Sequence, residues 1–178
     1  FGQTGGLTVS GGEPTVQAEG VIELFTAAKA AGFHLALDTS GVIFNPTVNQ
    51  LYDLTDLVIL DVKHINDAWH RKVTSGSVVP VLKNAAYREQ SGKELWLRYV
   101  LVPGWTDQPE FVEEWARHFQ GMKTVSRVEI LPYHTLGVYK YEALCRPYGL
   151  TAVQPPSAAQ VDQVKTLMEK YLPQVIVA

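Results

Sequence analysis

The residues of this chain best suited to chemistry stand at the ends of short apolar runs. Leu7-Thr8-Val9 leads into Ser10-Gly11-Gly12-Glu13-Pro14-Thr15. Two adjacent glycines there leave backbone N–H and C=O groups open to a closely approaching ligand, Glu13 adds a charge, and Pro14 stiffens the exit. Leu35-Ala36-Leu37 leads into Asp38-Thr39-Ser40-Gly41, Leu57-Val58-Ile59-Leu60 into Asp61-Val62-Lys63, and the run from Val128 to Leu131 into Pro132-Tyr133-His134. Arg98 lies inside the run from Leu95 to Val102. Such a set matches one zwitterionic ligand, since an amine seeks carbonyls and Asp while a carboxylate seeks Lys and Arg.

Each group also has a plainer role. Gly11-Gly12 alone suits an ordinary tight turn, and Asp38 and Thr39 suit a turn closed by their own side chains. Asp61 and Lys63 are two apart on a strand and face the same side. On a surface they would form an ion pair of little consequence, whereas in a barrel mouth they would be a paired charge site. Arg98 has apolar neighbours, and a guanidinium there is costly unless an anion meets it; Asp61, across the sheet, is the nearest expected carboxylate. His134 stands out only by its strand-end position, and Cys145 is read as structural or incidental.

The elements that must position these groups follow from periodicity. Val21, Ile22, Leu24, Phe25 and Ala28 recur on one face of a helix that stops near Ala31-Gly32. Strands are expected from His34 to Leu37, Leu57 to Val62, 95 to 102 and 127 to 131, and helices over about 46 to 54, 78 to 91, and from Thr106-Asp107 to Phe119. Less regular chain runs to Pro155-Pro156, Ser157 caps a last helix to about Tyr171, and Val175-Ile176-Val177 closes as a short strand. Strands separated by helices imply βαβ crossovers and a parallel sheet with its polar groups gathered at the carboxyl ends of the strands. Five clear units point to an open or partial barrel, with a doubly wound sheet as the alternative.

Composition fits one α/β domain over residues 1–178. The chain has 178 residues, 46% of them hydrophobic, enough for one substantial core. A net charge of −3 and a pI near 5.9 give no basic field for nucleic acid or anionic lipid. No apolar run reaches the roughly 20 residues of a membrane helix and no secretory signal is evident, so a cytoplasmic protein is expected. One cysteine excludes an internal disulfide and any all-cysteine metal site within one chain.

Ser10-Gly11-Gly12-Glu13-Pro14, Leu37-Asp38-Thr39-Ser40-Gly41, Leu60-Asp61-Val62-Lys63, the segment Leu97 to Trp105 and Leu131-Pro132-Tyr133-His134 closely resemble, in order and spacing, the pyruvate formate-lyase activating enzymes of the radical S-adenosylmethionine superfamily. The resemblance covers nearly the whole chain and implies a partial (β/α)6 barrel, truncated at its N-terminus. It implies a [4Fe-4S] cluster held by three cysteines, S-adenosylmethionine bound to its fourth iron, and a deoxyadenosyl radical that takes hydrogen from a glycine of pyruvate formate-lyase, with a flavodoxin as electron donor. By the same resemblance Gly11, Gly12 and Glu13 receive the methionine amino group through their backbone, with Asp38 beside it. Asp61, Val62 and Lys63 line the carboxylate and ribose side, and Arg98 and His134 form the far wall. Asp38, Thr39 and Asp61 are further candidates for holding a monovalent cation.

The family's Cys-x3-Cys-x2-Cys loop is absent from this sequence, and Cys145 is not at an equivalent position. Fe–S clusters need thiolates, so the chain by itself is expected to be inactive. Because Phe1 opens directly onto Gly5-Gly6 and the family's second strand, a fragment lacking the cluster-bearing segment is the simplest expectation, with an exposed sheet edge where the missing unit belongs. The alternatives are an activase of a related glycyl radical enzyme, a lyase using Lys63 as a Schiff-base amine, and a partner-binding module without catalysis.

Overall fold

A computed structural model describes residues 5–178, so Phe1 and the expectation resting on it lie outside the described residues. Six strands form one sheet: β1 (Gly6–Val9), β2 (His34–Thr39), β3 (Leu57–Asp61), β4 (Leu95–Leu101), β5 (Val125–Pro132) and β6 (Val175–Val177). All neighbouring pairs are parallel and the spatial order is the sequence order, β1 to β6. A doubly wound sheet reverses its strand order at a switch point, so this topology is singly wound, as in an opened barrel. Among the described residues β1 and β6 each pair on one side only, which leaves β1 as an open edge.

The connections are α1 (Ala18–Ala30), α2 (Pro46–Leu54), α3 (Asp67–Thr74) with α4 (Val79–Ser91), α5 (Pro109–Phe119), and α6 (Val138–Ala143) with α7 (Ala158–Glu169). Asn45 accepts from the Val48 N–H to start α2, and Ser157 with Gln160 forms a reciprocal cap on α7. Val21 and Phe25 of α1 are buried as their spacing requires, while Leu24, at the margin of that stripe, is 48% exposed. Two helices escape periodicity: α3 buries only His70 and α6 buries nothing, so neither shows an apolar stripe. β5 begins at Val125, two residues before its expected start.

Strand alternation divides the sheet into two unlike faces. Leu35, Leu37, Val58, Leu60, Leu95, Leu97, Val128 and Ile130 join the buried residues of α1, α2, α4, α5 and α7 in one core. The opposite face carries a smaller apolar patch, Ala36, Leu57 and Ile59 with Trp96 against it. Asp38, Asp61, Arg98 and Glu129 occupy the same alternation class as that patch.

Two polar clamps hold opposite ends of the strands. At the amino ends, the fully buried Arg88 donates to the carbonyls of Glu94 at 3.0 Å, Tyr52 at 2.8 Å, Thr55 at 3.1 Å and Asp56 at 2.5 Å. One rigid guanidinium thereby ties the exit of α2 to the entry of β4. Burial pulls its pKa down to about 10, which leaves it charged near neutrality. At the carboxyl ends, Glu13 accepts from the Thr15 N–H at 3.0 Å, the Thr15 hydroxyl at 2.6 Å, the Thr39 hydroxyl at 2.7 Å, the Ser40 N–H at 2.8 Å and the Ser40 hydroxyl. Burial works against the Glu13 charge, but the bonds from Ser40, Thr15 and Thr39 outweigh it and lower its pKa. Gly41 closes this corner at φ +64, where an added Cβ would stand 2.6 Å from Leu60 Cδ1.

Arg88→Met is expected to lower unfolding stability by about 3 kcal/mol, read as a fall in the urea midpoint, because it strands the buried carbonyls of Tyr52 and Thr55 and the partly buried ones of Asp56 and Glu94. The Glu13 carboxylate stabilises the fold fully above its unfolded pKa, and this contribution is lost as pH falls through its lower folded pKa. The stability of wild type is therefore expected to converge on that of Glu13→Gln below about pH 4 and to exceed it at neutrality, a difference that urea titration across pH measures.

Candidate functional site

The carboxyl ends of β2, β3, β4 and β5 bring together most of the polar residues singled out in the sequence. Arg98 is the centre. Its Nη1 donates to Asp38 Oδ2 at 2.7 Å and its Nε to Glu129 Oε2 at 3.0 Å. Asp61 sits opposite Arg98 in the β3–β4 register, yet its partner is Lys63, with Nζ to Oδ2 at 2.7 Å. The expected Arg98–Asp61 pair is thus replaced by a bridge over β3 to Asp38 and across to Glu129. The long guanidinium stem permits that reach, and the shorter separation of Lys63 along its own chain claims Asp61.

These groups are half-buried: side-chain exposure is 23% for Arg98, 21% for Asp38, 10% for Glu129, 19% for Asp61 and 26% for Lys63. Burial opposes the Arg98 charge, but the hydrogen bonds to Glu129 and Asp38 prevail and raise its pKa. The site thus sets three carboxylates against two cations over the ends of β2 to β5. Ser10 donates from its hydroxyl to Asp38 Oδ2 at 3.1 Å, which adds the β1 loop to the same network.

Two features stay unsatisfied within the protein. Asp61 Oδ1 is buried without a hydrogen-bond partner among the described residues. A carboxylate oxygen in that state has capacity for a donor from outside. Gly11, at φ +119, and Gly12 have open space where a Cβ would stand, so the backbone of this loop is bare on its outer side. Both features fit a ligand with hydroxyl and amine donors, as S-adenosylmethionine has.

Other candidates are differently placed. The Val62 N–H donates to the Arg98 carbonyl at 3.1 Å and its own carbonyl accepts from Trp115 Nε1 at 3.1 Å, so Val62 acts as a buried spacer between Asp61 and Lys63. The Thr39 hydroxyl is committed to Glu13 and to the Gly41 N–H at 3.0 Å. His134 is exposed two residues beyond β5, and its Nδ1 accepts from the Leu136 N–H at 3.3 Å. Among the described residues no three His, Cys, Asp or Glu side chains are grouped to hold a metal ion. Cys145 is exposed and has no thiolate companion, so the residues present do not fit a [4Fe-4S] cluster.

Glu129 and Arg127 escaped the reading of the sequence. Glu129 anchors Arg98, and Arg127 lies 3.5 Å from Glu129 with its guanidinium over the Trp96 ring at 3.8 Å. The signal was present: a carboxylate inside the apolar run from Val128 to Leu131 is as anomalous as Arg98 in its own run.

Comparison with known proteins bears on the family and the fold. The family model described as Radical SAM superfamily matches residues 1–116. The chain is 44% identical over 174 residues to the pyruvate formate-lyase-activating enzyme of Streptococcus mutans, covering 94% of the chain and 66% of that protein. It is 38% identical over 169 residues to the pyruvate formate-lyase 1-activating enzyme of Escherichia coli, covering 94% and 69%. The chain thus spans about two thirds of the length of these curated relatives. A crystal structure of a domain of pyruvate-formate lyase-activating enzyme from Bacteroides vulgatus superposes with a TM-score of 0.81 at 20% identity, covering 98% of this chain and 99% of that one. Singly wound parallel strands, a polar cluster at their carboxyl ends and these matches lead to one conclusion: the chain belongs to the radical SAM superfamily and is a relative of the pyruvate formate-lyase-activating enzymes.

Proposed function

We propose that this chain is the S-adenosylmethionine-binding portion of a glycyl-radical activating enzyme whose protein substrate is pyruvate formate-lyase. The observation that carries the reading is the Asp38–Arg98–Glu129 bridge beside the Asp61–Lys63 pair, with the buried Asp61 Oδ1 lacking a donor. Preorganised charges of both signs suit a zwitterion better than a simple anion or cation. Asp61 accepts from ribose hydroxyls through Oδ1, Lys63 and Arg98 face the methionyl carboxylate, and Asp38 with the bare Gly11-Gly12-Glu13 backbone receives the amine. His134 closes the far side. When bound, S-adenosylmethionine supplies the means of removing a hydrogen atom from a substrate glycine. The residues of this chain bind it, orient it and hold its two charged ends apart.

The cluster that such an enzyme needs belongs, on this reading, to a cysteine-bearing segment outside this sequence, and the chain alone is inactive. A flavodoxin would serve as its electron donor, and the cytoplasm is its compartment. Among the described residues no helix is long and apolar enough to cross a membrane. A monovalent cation at Asp38, Thr39 and Asp61 would use the open Asp61 Oδ1 and compete with Lys63 for the same carboxylate. The Schiff-base alternative is disfavoured because an ammonium held by Asp61 at 2.7 Å has no free lone pair for a carbonyl.

Isothermal titration of the chain with S-adenosylmethionine tests the reading. Weak binding is expected, in the range of about 0.1–1 mM, because a complete enzyme adds its cluster to the same ligand. Arg98→Lys keeps one charge but loses the fork that spans Asp38 and Glu129, and should weaken binding about tenfold with the circular dichroism of the fold retained. Unchanged affinity in Arg98→Lys and in Asp61→Asn would show that the ligand site lies elsewhere.

A further inference from the structure

Lys72 of α3 is held over two indole faces, 4.2 Å from the Trp69 ring centroid and 4.7 Å from that of Trp105. Among the described residues it makes neither an ion pair nor a side-chain hydrogen bond. Its ammonium is thus held over the two rings by cation–π contacts, and because Lys72 is exposed its N–H donors face solvent and remain available to an incoming acceptor. It stands on the wall of a cavity of about 230 Å³, whose other lining includes Val102, Trp105, Tyr141, Tyr148 and Leu150. Val102 follows directly on β4, and Tyr133, next to Tyr148, follows directly on β5, so the cavity opens at the carboxyl end of the sheet.

A second polar group, the Tyr148 hydroxyl, lies in the same wall. The hydroxyls of Tyr133 and Tyr148 are 2.5 Å apart. One proton is shared in that contact, and the other hydroxyl proton finds no acceptor among the described residues. Burial and the Tyr133 neighbour push the Tyr148 hydroxyl up to about 12, so Tyr148 keeps its proton at neutral pH. A solvent-facing cation and a phenol, set around an apolar hollow, suit an anion with two acceptor oxygens on an apolar stem.

We infer that this cavity is a carboxylate subsite that takes the side chain of an acidic residue in the polypeptide substrate. It deepens the proposed function and rests on it for the identity of the substrate as a polypeptide. It lies apart from the Arg98 cluster: none of its lining residues is a member of that network. Its role would be to fix the substrate chain beside the strand ends by an anchor remote from the reacting glycine. Binding energy from a non-reacting part of a substrate is a recognised source of such positioning.

The test uses capped pentapeptides that contain one central Gly and, at each other position in turn, either Glu or Gln. Titrations are followed through the indole N–H signals of the four tryptophans. One or more Glu peptides should shift Trp69 and Trp105 while leaving the buried Trp115 unmoved, and should bind about fivefold more tightly than the matching Gln peptides. Lys72→Met should abolish that preference without altering the fold. Equal binding of Glu and Gln peptides, or an unchanged preference in Lys72→Met, would overturn the inference. Glutarate binding as tightly as the best peptide would overturn the polypeptide assignment in favour of a free small carboxylate. S-adenosylmethionine titrated into the same samples separates the two proposals, since the peptide preference requires no cofactor and the cofactor requires no Lys72.

Discussion

The structure depends on a constraint of its topology: every crossover that buries residues packs on one face of a singly wound parallel sheet. The other face has only a small apolar patch to cover, so the charges it carries must satisfy one another. Arg98 meets that need. It lies between carboxylates from β2 and β5, and the energy of holding three half-buried charges in register is recovered through short, directed hydrogen bonds. The same geometry that stabilises the empty face also fixes the positions a charged ligand would meet.

The two clamps divide the labour along the strand axis. Arg88 closes the amino ends by donating to four backbone carbonyls, whereas the carboxyl ends close through Glu13, Thr39 and Ser40 and leave glycine backbone bare outside them. Under the proposed function, recognition would fall at the carboxyl ends, opposite the Arg88 clamp, as in parallel α/β barrels generally. Glu13 belongs to both roles. Its side chain is consumed by the corner, so any contact it makes with a ligand comes through its backbone.

The strands and the motifs at their ends were legible because apolar runs bounded by Gly, Pro and polar residues leave few other options in a chain of this length. Sequential strand order was not legible, since periodicity does not say which strands are neighbours, and the doubly wound alternative fell only to the observed pairing. α3 was missed because a helix that buries only His70 has no stripe to detect, although Asn66 as cap and the Asp67–Arg71 pair four residues apart were local signs of it. Arg88 was not singled out in the sequence, because nothing in periodicity reveals that neighbouring loop carbonyls require its donors. Within the site, Asp38, Asp61, Lys63 and Arg98 were read from the sequence but Glu129 and the pairing were not: register places both Asp61 and Glu129 opposite Arg98, Lys63 claims Asp61, and side-chain reach carries the guanidinium over β3 to Asp38.

The central claim is that the Arg98 network and the open oxygen of Asp61 form a ligand site already shaped for S-adenosylmethionine. The most direct measurement is a crystal structure of this chain grown with S-adenosylmethionine at millimolar concentration. The account predicts the ligand at the carboxyl ends of β2 to β4, with a ribose hydroxyl donating to Asp61 Oδ1 and the Arg98 bridge to Asp38 and Glu129 intact. Ligand density away from these strand ends, or a bound ligand that leaves Asp61 Oδ1 without a partner, would contradict it.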